Sequence, residues 1–137
     1  MHNNDLLYEN AANLAKLVSN KMRFRHGCVL VKNGKIISYG YNRYATSHEV
    51  KRVEKISGFK LSWNGIACVH AEIDAFAKLN FSQKAIRGST LIVYGESRAG
   101  NVVKSRPCKC CMKAVQFLRV KSIIYSNTQK TRVMEKV

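Results

Sequence analysis

Two short motifs that lie far apart in the chain place the tightest constraint on its fold. Residues 70–72 read His-Ala-Glu, and residues 107–111 read Pro-Cys-Lys-Cys-Cys. Imidazole and thiolate are ligands that zinc prefers, and a catalytic zinc site has three protein ligands with a fourth position open to water. His70, Cys108 and Cys111 therefore predict one zinc ion per chain, and the fold has to bring two distant segments together to bind it.

Glu72 is predicted to act as an acid/base rather than as a ligand. It follows His70 by two residues, and side chains at this spacing do not share a helix face, so they cannot easily hold one ion together. Cys108 and Cys111 are three residues apart and do share a face. If Pro107 begins the helix, the positive end of the helix dipole favours the thiolate forms that zinc requires. Zinc lowers the pKa of a bound water to roughly 7, so a carboxylate beside it needs only to move protons.

A structural zinc site is the alternative interpretation of these cysteines. Such a site is normally closed by four protein ligands, and Cys110 could be the fourth. Adjacent residues of a helix point about 100° apart, however, so Cys110 and Cys111 cannot easily bind the same ion as Cys108. Cys110 is therefore predicted to be a spare thiol.

Length and composition indicate one globular domain over residues 1–137. A chain of 137 residues can bury one core but is too short for two. We expect neither a signal peptide nor a membrane-spanning segment, because the chain has no suitable apolar run. Five cysteines, three of them clustered, fit a metal site in a reducing compartment better than a disulfide framework. The expected location is the cytoplasm, with the nucleus as the alternative, and not the secreted fraction.

Net charge is the unusual bulk property of the sequence. The chain has 24 Lys and Arg against 8 Asp and Glu, which gives a formal net charge of +16. A positive field of this kind attracts phosphate-bearing ligands and gives salt-sensitive binding to nucleic acid. The basic residues are spread along the whole chain, so a role in solubility stays open beside nucleotide phosphate and nucleic acid as partners.

Apolar periodicity predicts an amphipathic helix over about residues 5–20 and further helices over 71–80 and 107–118. The second and third helices begin at the two motifs, so two helix starts are expected to carry the metal ligands. Residues 43–67 show no clean period and are predicted to form a long loop with a helical turn. Residues 95–106 are predicted to form a polar connection that borders the pocket.

Five β-rich runs predict the strands of a mixed sheet. The runs at 28–31 and 36–41 flank an Asn-Gly dipeptide, which is a strong hairpin signal. Further strands are predicted over about 90–94, 120–125 and 131–137. The last two are predicted to be antiparallel, because the short link between them cannot cross over the face of a sheet.

The two motifs and this order of elements resemble the cytidine deaminase-like superfamily of zinc-dependent nucleobase deaminases, which share H-x-E followed by P-C-x-x-C. The similarity covers nearly the whole chain. It implies an α/β chain with a three-layer fold, in which helices cover both faces of a mixed five-stranded sheet. It also implies a homo-oligomer, either a dimer or a tetramer.

The resemblance also implies roles for individual residues. His70, Cys108 and Cys111 would bind zinc, Glu72 would shuttle protons, and the backbone N–H of Ala71 would donate to the carbonyl of the base.

Three polar residues outside the motifs are candidates for contact with substrate. Residues 40–42, Gly-Tyr-Asn, are similar to a Gly-x-Asn strand end of the family, so Asn42 would contact the sugar or the base, with a turn role as the alternative. Arg106, together with Arg98 and Ser105, could bind a phosphate through charge-assisted hydrogen bonds, or these residues could be solvated in a loop.

The remaining aromatic and histidine residues are predicted to have ordinary packing roles. Tyr44 and Trp63 could stack on a base, but packing against the protein is the favoured interpretation. His26 and His48 are expected to be partly buried histidines without a metal.

The predicted function is hydrolytic deamination of a cytosine nucleoside or nucleotide, which converts cytosine to uracil and releases ammonia. One alternative is a deaminase that edits cytosine or adenine within single-stranded RNA or DNA, including tRNA. The other is a zinc-stabilised module that binds nucleic acid without catalysis. The presence of Glu72 argues against that last alternative, because a structural zinc site does not use such a carboxylate.

Overall fold

The chain alternates helices and strands around one main sheet. The structure, a computed structural model, describes residues 3–58, 68–128 and 131–137. The helices are α1 (Asn3–Ala15), α2 (Ser47–Ser57), α3 (Ala71–Lys78), α4 (Gln83–Ile86) and α5 (Lys109–Phe117). The strands are β1 (Phe24–Lys32), β2 (Lys35–Tyr41), β3 (Arg43–Tyr44), β4 (Cys68–Val69), β5 (Thr90–Ser97), β6 (Val102–Val103), β7 (Ser122–Ser126) and β8 (Arg132–Lys136).

The main sheet is mixed, as predicted. Its strands follow the order β2-β1-β5-β7-β8, and β6 adds a short sixth strand beside β5. The β5–β7 pair is parallel, whereas the β1–β2, β1–β5 and β7–β8 pairs are antiparallel. The predicted hairpin of the first two strands and the predicted antiparallel pairing of the last two are therefore confirmed. Strands β3 and β4 form a separate two-stranded sheet.

Helices cover both faces of this sheet, because alternate residues of each strand point to opposite sides. On one face, Val29 and Ile92 pack against Leu7 and Ala11 of α1. On the other face, Leu30 and the neighbouring strand residues pack against the buried sides of α3 and α5. The predicted three-layer arrangement is confirmed, and it places the starts of α3 and α5 on the same side of the sheet.

Gly40 allows the beginning of α3 to lie directly on strand β2. A Cβ atom at this position would lie 2.3 Å from the Ala71 carbonyl oxygen and 2.7 Å from the Ala75 nitrogen. Both neighbours are backbone atoms of α3, so neither can move aside without moving the helix. The start of α3, where the His-Ala-Glu motif lies, can therefore approach β2 this closely because Gly40 has no side chain.

Gly40→Ala is expected to lower the free energy of unfolding by about 3 kcal/mol or more, because it forces two backbones apart in a packed core. Gly100→Ala is the control. Its φ is +90°, but no atom lies within 4 Å of its Cβ position. This control should cost only about 1–2 kcal/mol of left-handed strain. Urea unfolding of both variants measures the difference, and equal losses would show that the Gly40 contact can relax.

Helix α1 ends earlier than its apolar period predicted. The period extends to residue 20, but the helix ends at Ala15 and continues as turns in which Leu17 and Val18 bond to carbonyls three residues back. Val18 is still buried, which explains why the apolar pattern outlasts the helix. None of the helices that the structure describes is long and apolar enough to span a membrane.

The prediction of a loop over residues 43–67 was wrong for residues 47–57, which form α2. Thr46 caps this helix by accepting a hydrogen bond from the Glu49 N–H at 3.1 Å, and Gly58 ends it in the left-handed conformation. A Thr-x-x-Glu sequence followed by a glycine is a recognised helix start and stop signal. The apolar pattern did not predict this helix because its period is weak. The buried apolar residues of α2 are Val50 and Val53. Residues 59–67 lie outside the described part of the chain.

Residues 95–106 were predicted to form a polar connection, but part of this segment forms β-strands. Strand β5 continues to Ser97, turns, and pairs with β6 through Gly95–Val103 and Glu96–Val102. The buried carboxylate of Glu96 forms an ion pair with Arg25 on the adjacent strand, which accounts for a charged residue in this position.

Candidate active site

Two helix N-termini hold the predicted metal ligands. His70 is the residue before α3, and Cys108 is the residue before α5. Pro107 does not begin the helix as predicted but precedes its cap. The Cys108 sulfur accepts the Cys111 backbone N–H at 3.5 Å, so this side chain caps α5 itself. Both helices pack on the same face of the sheet, and this brings the ligands together.

The ligand atoms have the spacing of a tetrahedral zinc site. His70 Nδ1 lies 3.6 Å from the Cys108 sulfur and 3.4 Å from the Cys111 sulfur. Ligand atoms at the usual Zn–N and Zn–S lengths on a tetrahedron are about 3.5 Å apart. All three ligand atoms lie within 4.8 Å of one another. The residues therefore fit zinc in both chemical type and geometry.

Hydrogen bonds within the cluster favour a thiolate at Cys108. Its pKa is lowered to about 3, chiefly because it accepts a hydrogen bond from Cys111 and also one from His70. The pKa of Cys111 is raised, first by its hydrogen bond to Cys108 and then by burial. The hydrogen bond to Cys108 likewise raises the pKa of His70. One sulfur is thus a ready anionic ligand, and the two donors that face it would release protons on binding a metal.

Cys110 does not belong to this cluster. Among the His, Cys, Asp and Glu side chains that the structure describes, the group that could hold a metal consists of His70, Cys108 and Cys111. Three protein ligands leave a tetrahedral ion with one position for water, as in catalytic zinc sites. The described cluster therefore fits an open site better than a closed structural one.

Glu72 is buried beside the cluster but is not part of it. Its side chain is 6% exposed, and burial raises its pKa above the ordinary value for a glutamate. A carboxyl group whose pKa is raised toward neutrality can both take and give a proton, which is the property that an acid/base needs. Glu72 follows Ala71, whose N–H is at the first position of α3 and has no acceptor within the helix.

These groups line a cavity of about 320 Å³. Its wall combines both helix starts with the ends of two strands and the segment before the first strand. The lining residues are Met22, Arg23, Phe24, His26, Asn42, His70, Ala71, Glu72, Ser105, Arg106 and Cys108. Cys111 belongs to the metal-ligand cluster with His70 and Cys108. The structure therefore brings the predicted ligands, Glu72, Ala71, Asn42 and Arg106 to one place, whereas the candidate Arg98 does not line the cavity.

Comparison with known proteins agrees with the geometry. A family model described as the cytidine and deoxycytidylate deaminase zinc-binding region matches residues 1–127. The chain belongs to this deaminase family. A curated relative, the deoxycytidylate deaminase of Schizosaccharomyces pombe, is 29% identical over 131 residues, which cover 88% of the chain and 36% of the relative. The chain thus spans about a third of the length of that relative.

Solved structures of the deaminase family share the fold. The dCMP deaminase of cyanophage S-TIM5 in its apo form matches with a TM-score of 0.61 and 25% identity, over 90% of this chain and 81% of that one. Cytidine deaminase from Burkholderia pseudomallei matches with a TM-score of 0.62 and 21% identity, over 96% of this chain and 91% of that one. The second likeness concerns the fold alone. The resemblance predicted from the two motifs is confirmed at the level of family and fold.

Asn42 of this deaminase-family chain lies in the cavity wall with its amide already engaged. Its Oδ1 accepts the His26 N–H at 2.6 Å, and its Nδ2 donates to the Phe24 carbonyl at 3.0 Å. An amide has a second N–H and a second lone pair, so each end of the side chain can still bond a ligand. Asn42 is therefore part of the strand end that shapes the cavity, and its contact with substrate stays a prediction.

Arg106 also lines the cavity but has a partner on β8. Its guanidinium bonds both carboxylate oxygens of Glu135 at 3.1–3.3 Å, and Glu135 also accepts the Tyr125 hydroxyl at 2.6 Å. The pair is partly solvent-exposed, and ion pairs near the surface are worth little in water. A phosphate could therefore compete with Glu135 for Arg106.

The other two candidates for phosphate binding are engaged elsewhere. The Ser105 hydroxyl is buried and donates to the Val93 carbonyl at 2.9 Å, so it supports the sheet end rather than offering a free donor. Arg98 bonds the carbonyls of Lys21 and Met22 and does not line the cavity. Both residues bond the protein itself rather than facing solvent as free loop residues.

Of the two aromatic candidates, Tyr44 is 54% exposed and does not line the cavity. Trp63 lies outside the described residues. The sequence did not point to Arg23, Phe24 or His26, all of which line the cavity. Phe24 is 40% exposed, and the Arg23 guanidinium lies 5.3 Å from its ring centroid.

Proposed function

We propose that the chain is a zinc-dependent hydrolytic deaminase of a cytosine nucleoside or nucleotide, converting cytosine to uracil with release of ammonia. The observation that carries the proposal is the buried carboxylate of Glu72 beside a three-ligand cluster that opens on a cavity. The Schizosaccharomyces pombe relative bears the name deoxycytidylate deaminase, which supports the choice of base.

His70, Cys108 and Cys111 would hold zinc, which would supply the Lewis acidity that makes water nucleophilic at neutral pH. Glu72 takes a proton from the attacking water and delivers it to N3 of the cytosine ring. It then takes the proton of the hydroxyl that has formed at C4 and transfers it to the amine, and the C4–N bond breaks to release ammonia. Burial suits Glu72 to the first step, since a carboxylate whose pKa is raised takes a proton from water more readily.

The remaining cavity residues would orient the substrate. The free N–H of Ala71 donates to the carbonyl at C2 of the base, and Asn42 uses its remaining donor and acceptor on the sugar or the base. Arg106 binds the phosphate of a nucleotide by exchanging its exposed contact with Glu135. The dCMP deaminase of cyanophage S-TIM5 has been solved with dCMP and dUMP, and it is 23% identical to this chain with a TM-score of 0.59.

A substrate panel tests the proposal. The zinc-loaded protein is incubated separately with CMP, dCMP, cytidine, deoxycytidine, cytosine and a mixed single-stranded oligonucleotide, and ammonia and the mass of the base are measured. Turnover of one or more cytosine monomers is the expected result. A Glu72→Gln preparation is the blank that excludes a contaminating deaminase. No turnover of any monomer by zinc-loaded protein would contradict the proposal.

A deaminase that acts within single-stranded nucleic acid is the second candidate, and charge favours it. In the part of the chain that the structure describes, at least five of the eight acidic residues form ion pairs with basic side chains, so little free negative charge opposes a polyanion. The exposed Phe24 beneath Arg23 at the cavity could stack a neighbouring base. Deamination found only in the oligonucleotide would support this candidate. Salt-sensitive binding without turnover would instead support a zinc-stabilised binding module.

We also propose that residues 1–137 act as one domain in a homo-oligomer within a reducing compartment, cytoplasmic or nuclear. The resemblance to the family supports the oligomer, and the need for two reduced thiols at the cluster supports the compartment. Light scattering of the purified protein, with dimer or tetramer mass as the expected result, tests the assembly.

A further inference from the structure

His26 occupies a part of the cavity wall that none of the proposed catalytic groups uses. It lies on β1 directly opposite Gly95 on β5, in the antiparallel register of the two strands. A Cβ atom at position 95 would lie 2.6 Å from His26 Cδ2 and 2.8 Å from Nε2. The imidazole therefore lies across the neighbouring strand, in space that exists because residue 95 has no side chain.

The backbone of His26 is fixed by the strand end that shapes the cavity. Its N–H donates to Asn42 Oδ1 at 2.6 Å, and its carbonyl accepts the Asn42 N–H at 3.2 Å. The imidazole itself makes no hydrogen bond to another residue of ranges 3–58, 68–128 and 131–137. A well-placed ring whose polar atoms have no partner in the described protein is suited to bond a ligand.

Burial, and to a smaller extent the charge of His70, lowers the pKa of His26 to about 4, while Cys108 has a smaller raising effect. A neutral imidazole offers one donor and one acceptor, which matches a hydroxyl or an amide-like edge better than it matches a phosphate, whose oxygens only accept. His26 lines the same cavity as His70 and Cys108 of the metal-ligand cluster.

We propose that His26 is a specificity-determining residue whose imidazole hydrogen-bonds the nucleoside part of the substrate. The inference rests on the proposed function, because it assumes that the cavity binds a nucleoside or nucleotide whose base lies beside Glu72. Gly95 is then the residue that makes room for this contact. Phosphate recognition is left to other residues of the cavity wall.

Steady-state kinetics of His26→Phe and His26→Gln against deoxycytidine and dCMP test the proposal. The phenylalanine ring keeps the volume but leaves the substrate group without a partner, so KM is expected to rise about tenfold or more with little change in kcat. The rise should be the same for both substrates, because the contact does not involve the phosphate. Glutamine retains a donor and an acceptor and should restore most of the affinity. His48→Phe, an exposed histidine outside the cavity, is the matched control.

Gly95→Ala provides a variant that keeps His26 but displaces its ring. It should reproduce the rise in KM of His26→Phe while zinc content stays at the wild-type level. An unchanged KM in His26→Phe would overturn the proposal, as would a penalty that appears with dCMP alone. Loss of zinc together with activity would also overturn it, since the role of His26 would then be structural.

Histidine NMR separates failure of this inference from failure of the proposed function. The chain has four histidines, so the ring signals can be assigned by the loss of one signal in His26→Phe. Addition of dUMP to the zinc-loaded wild type should move the His26 signal and leave that of His48 unchanged. If the wild type turns over no monomer, the proposed function fails, and the dUMP titration alone decides the role of His26. A His26 signal that does not move with dUMP would overturn the inference.

Discussion

Replacement of Glu72 by glutamine is expected to lower kcat by about a thousandfold or more while the protein stays folded and keeps one zinc ion. General acid–base catalysis contributes about 10²–10⁴ to a rate, and here one carboxylate serves both proton transfers. Glutamine has nearly the same volume, so it leaves no hole at this buried position. The three ligands are untouched, so metal analysis should give the wild-type zinc content. Glu72→Ala should lose turnover in the same way.

Stability separates this outcome from simple misfolding. A buried carboxylate is costly to desolvate, and a neutral amide removes most of that cost, so Glu72→Gln should unfold at the wild-type urea concentration or above it. Glu9→Gln, a change at an exposed glutamate outside the cavity, is the control for the loss of one negative charge. Full activity in Glu72→Gln would remove this residue from the chemistry. Lost activity together with lost zinc would show that it supports the metal instead.

The metal cluster could be predicted from the sequence because its chemistry is local. Two short motifs specify the ligand atoms, and each motif lies at a helix start, so the fold has only to bring two helix ends together. Cys110 shows that helix geometry separates ligands from neighbouring cysteines in the motif. It is next to Cys111 in the chain, and the helical geometry that excluded it from the ligand set agrees with the described cluster.

The rest of the cavity depends on which residues of distant strands lie opposite each other, and apolar alternation indicates the face on which a residue lies but not its partner. His26 faces the cavity because it pairs with Gly95, a residue far away in the chain, and nothing near His26 in sequence announces that partner. The buried position of Ser105 could not be predicted for the same reason. Its hydroxyl bonds Val93 and Ser126, which the parallel pairing of β5 and β7 brings to one sheet end.

Cys108→Ser is expected to abolish zinc binding and turnover while it preserves the start of α5. The Cys108 side chain has two roles, since its sulfur belongs to the metal cluster and also caps the helix by accepting the Cys111 N–H. Serine is among the best helix caps but is a poor zinc ligand at neutral pH. The loss in zinc affinity should exceed the roughly 100-fold typical of losing an outer partner of a ligand. Cys108→Ala should lose the cap as well, at a further cost of about 1 kcal/mol.

Cys110→Ser is the matched control, because it makes the same chemical change two residues away, outside the cluster. It should retain one zinc ion per chain and full turnover. The two serine variants should also respond differently to a chelator. Wild type and Cys110→Ser should lose about 4 kcal/mol of unfolding free energy when zinc present at a thousandfold excess over its Kd is removed. Cys108→Ser should lose none, because it has no bound zinc to give up.

Zinc binding by the serine variants also shows whether the site has three protein ligands and an open position or four protein ligands and none. If zinc were held by four protein ligands, removal of one would leave three, and Cys108→Ser would retain weakened but measurable binding. An open site falls from three ligands to two and should retain almost none. Zinc titrations of Cys108→Ser and Cys110→Ser therefore distinguish the two sites directly. Weakened but measurable zinc binding in both variants would place Cys110 among the ligands and leave no position for water.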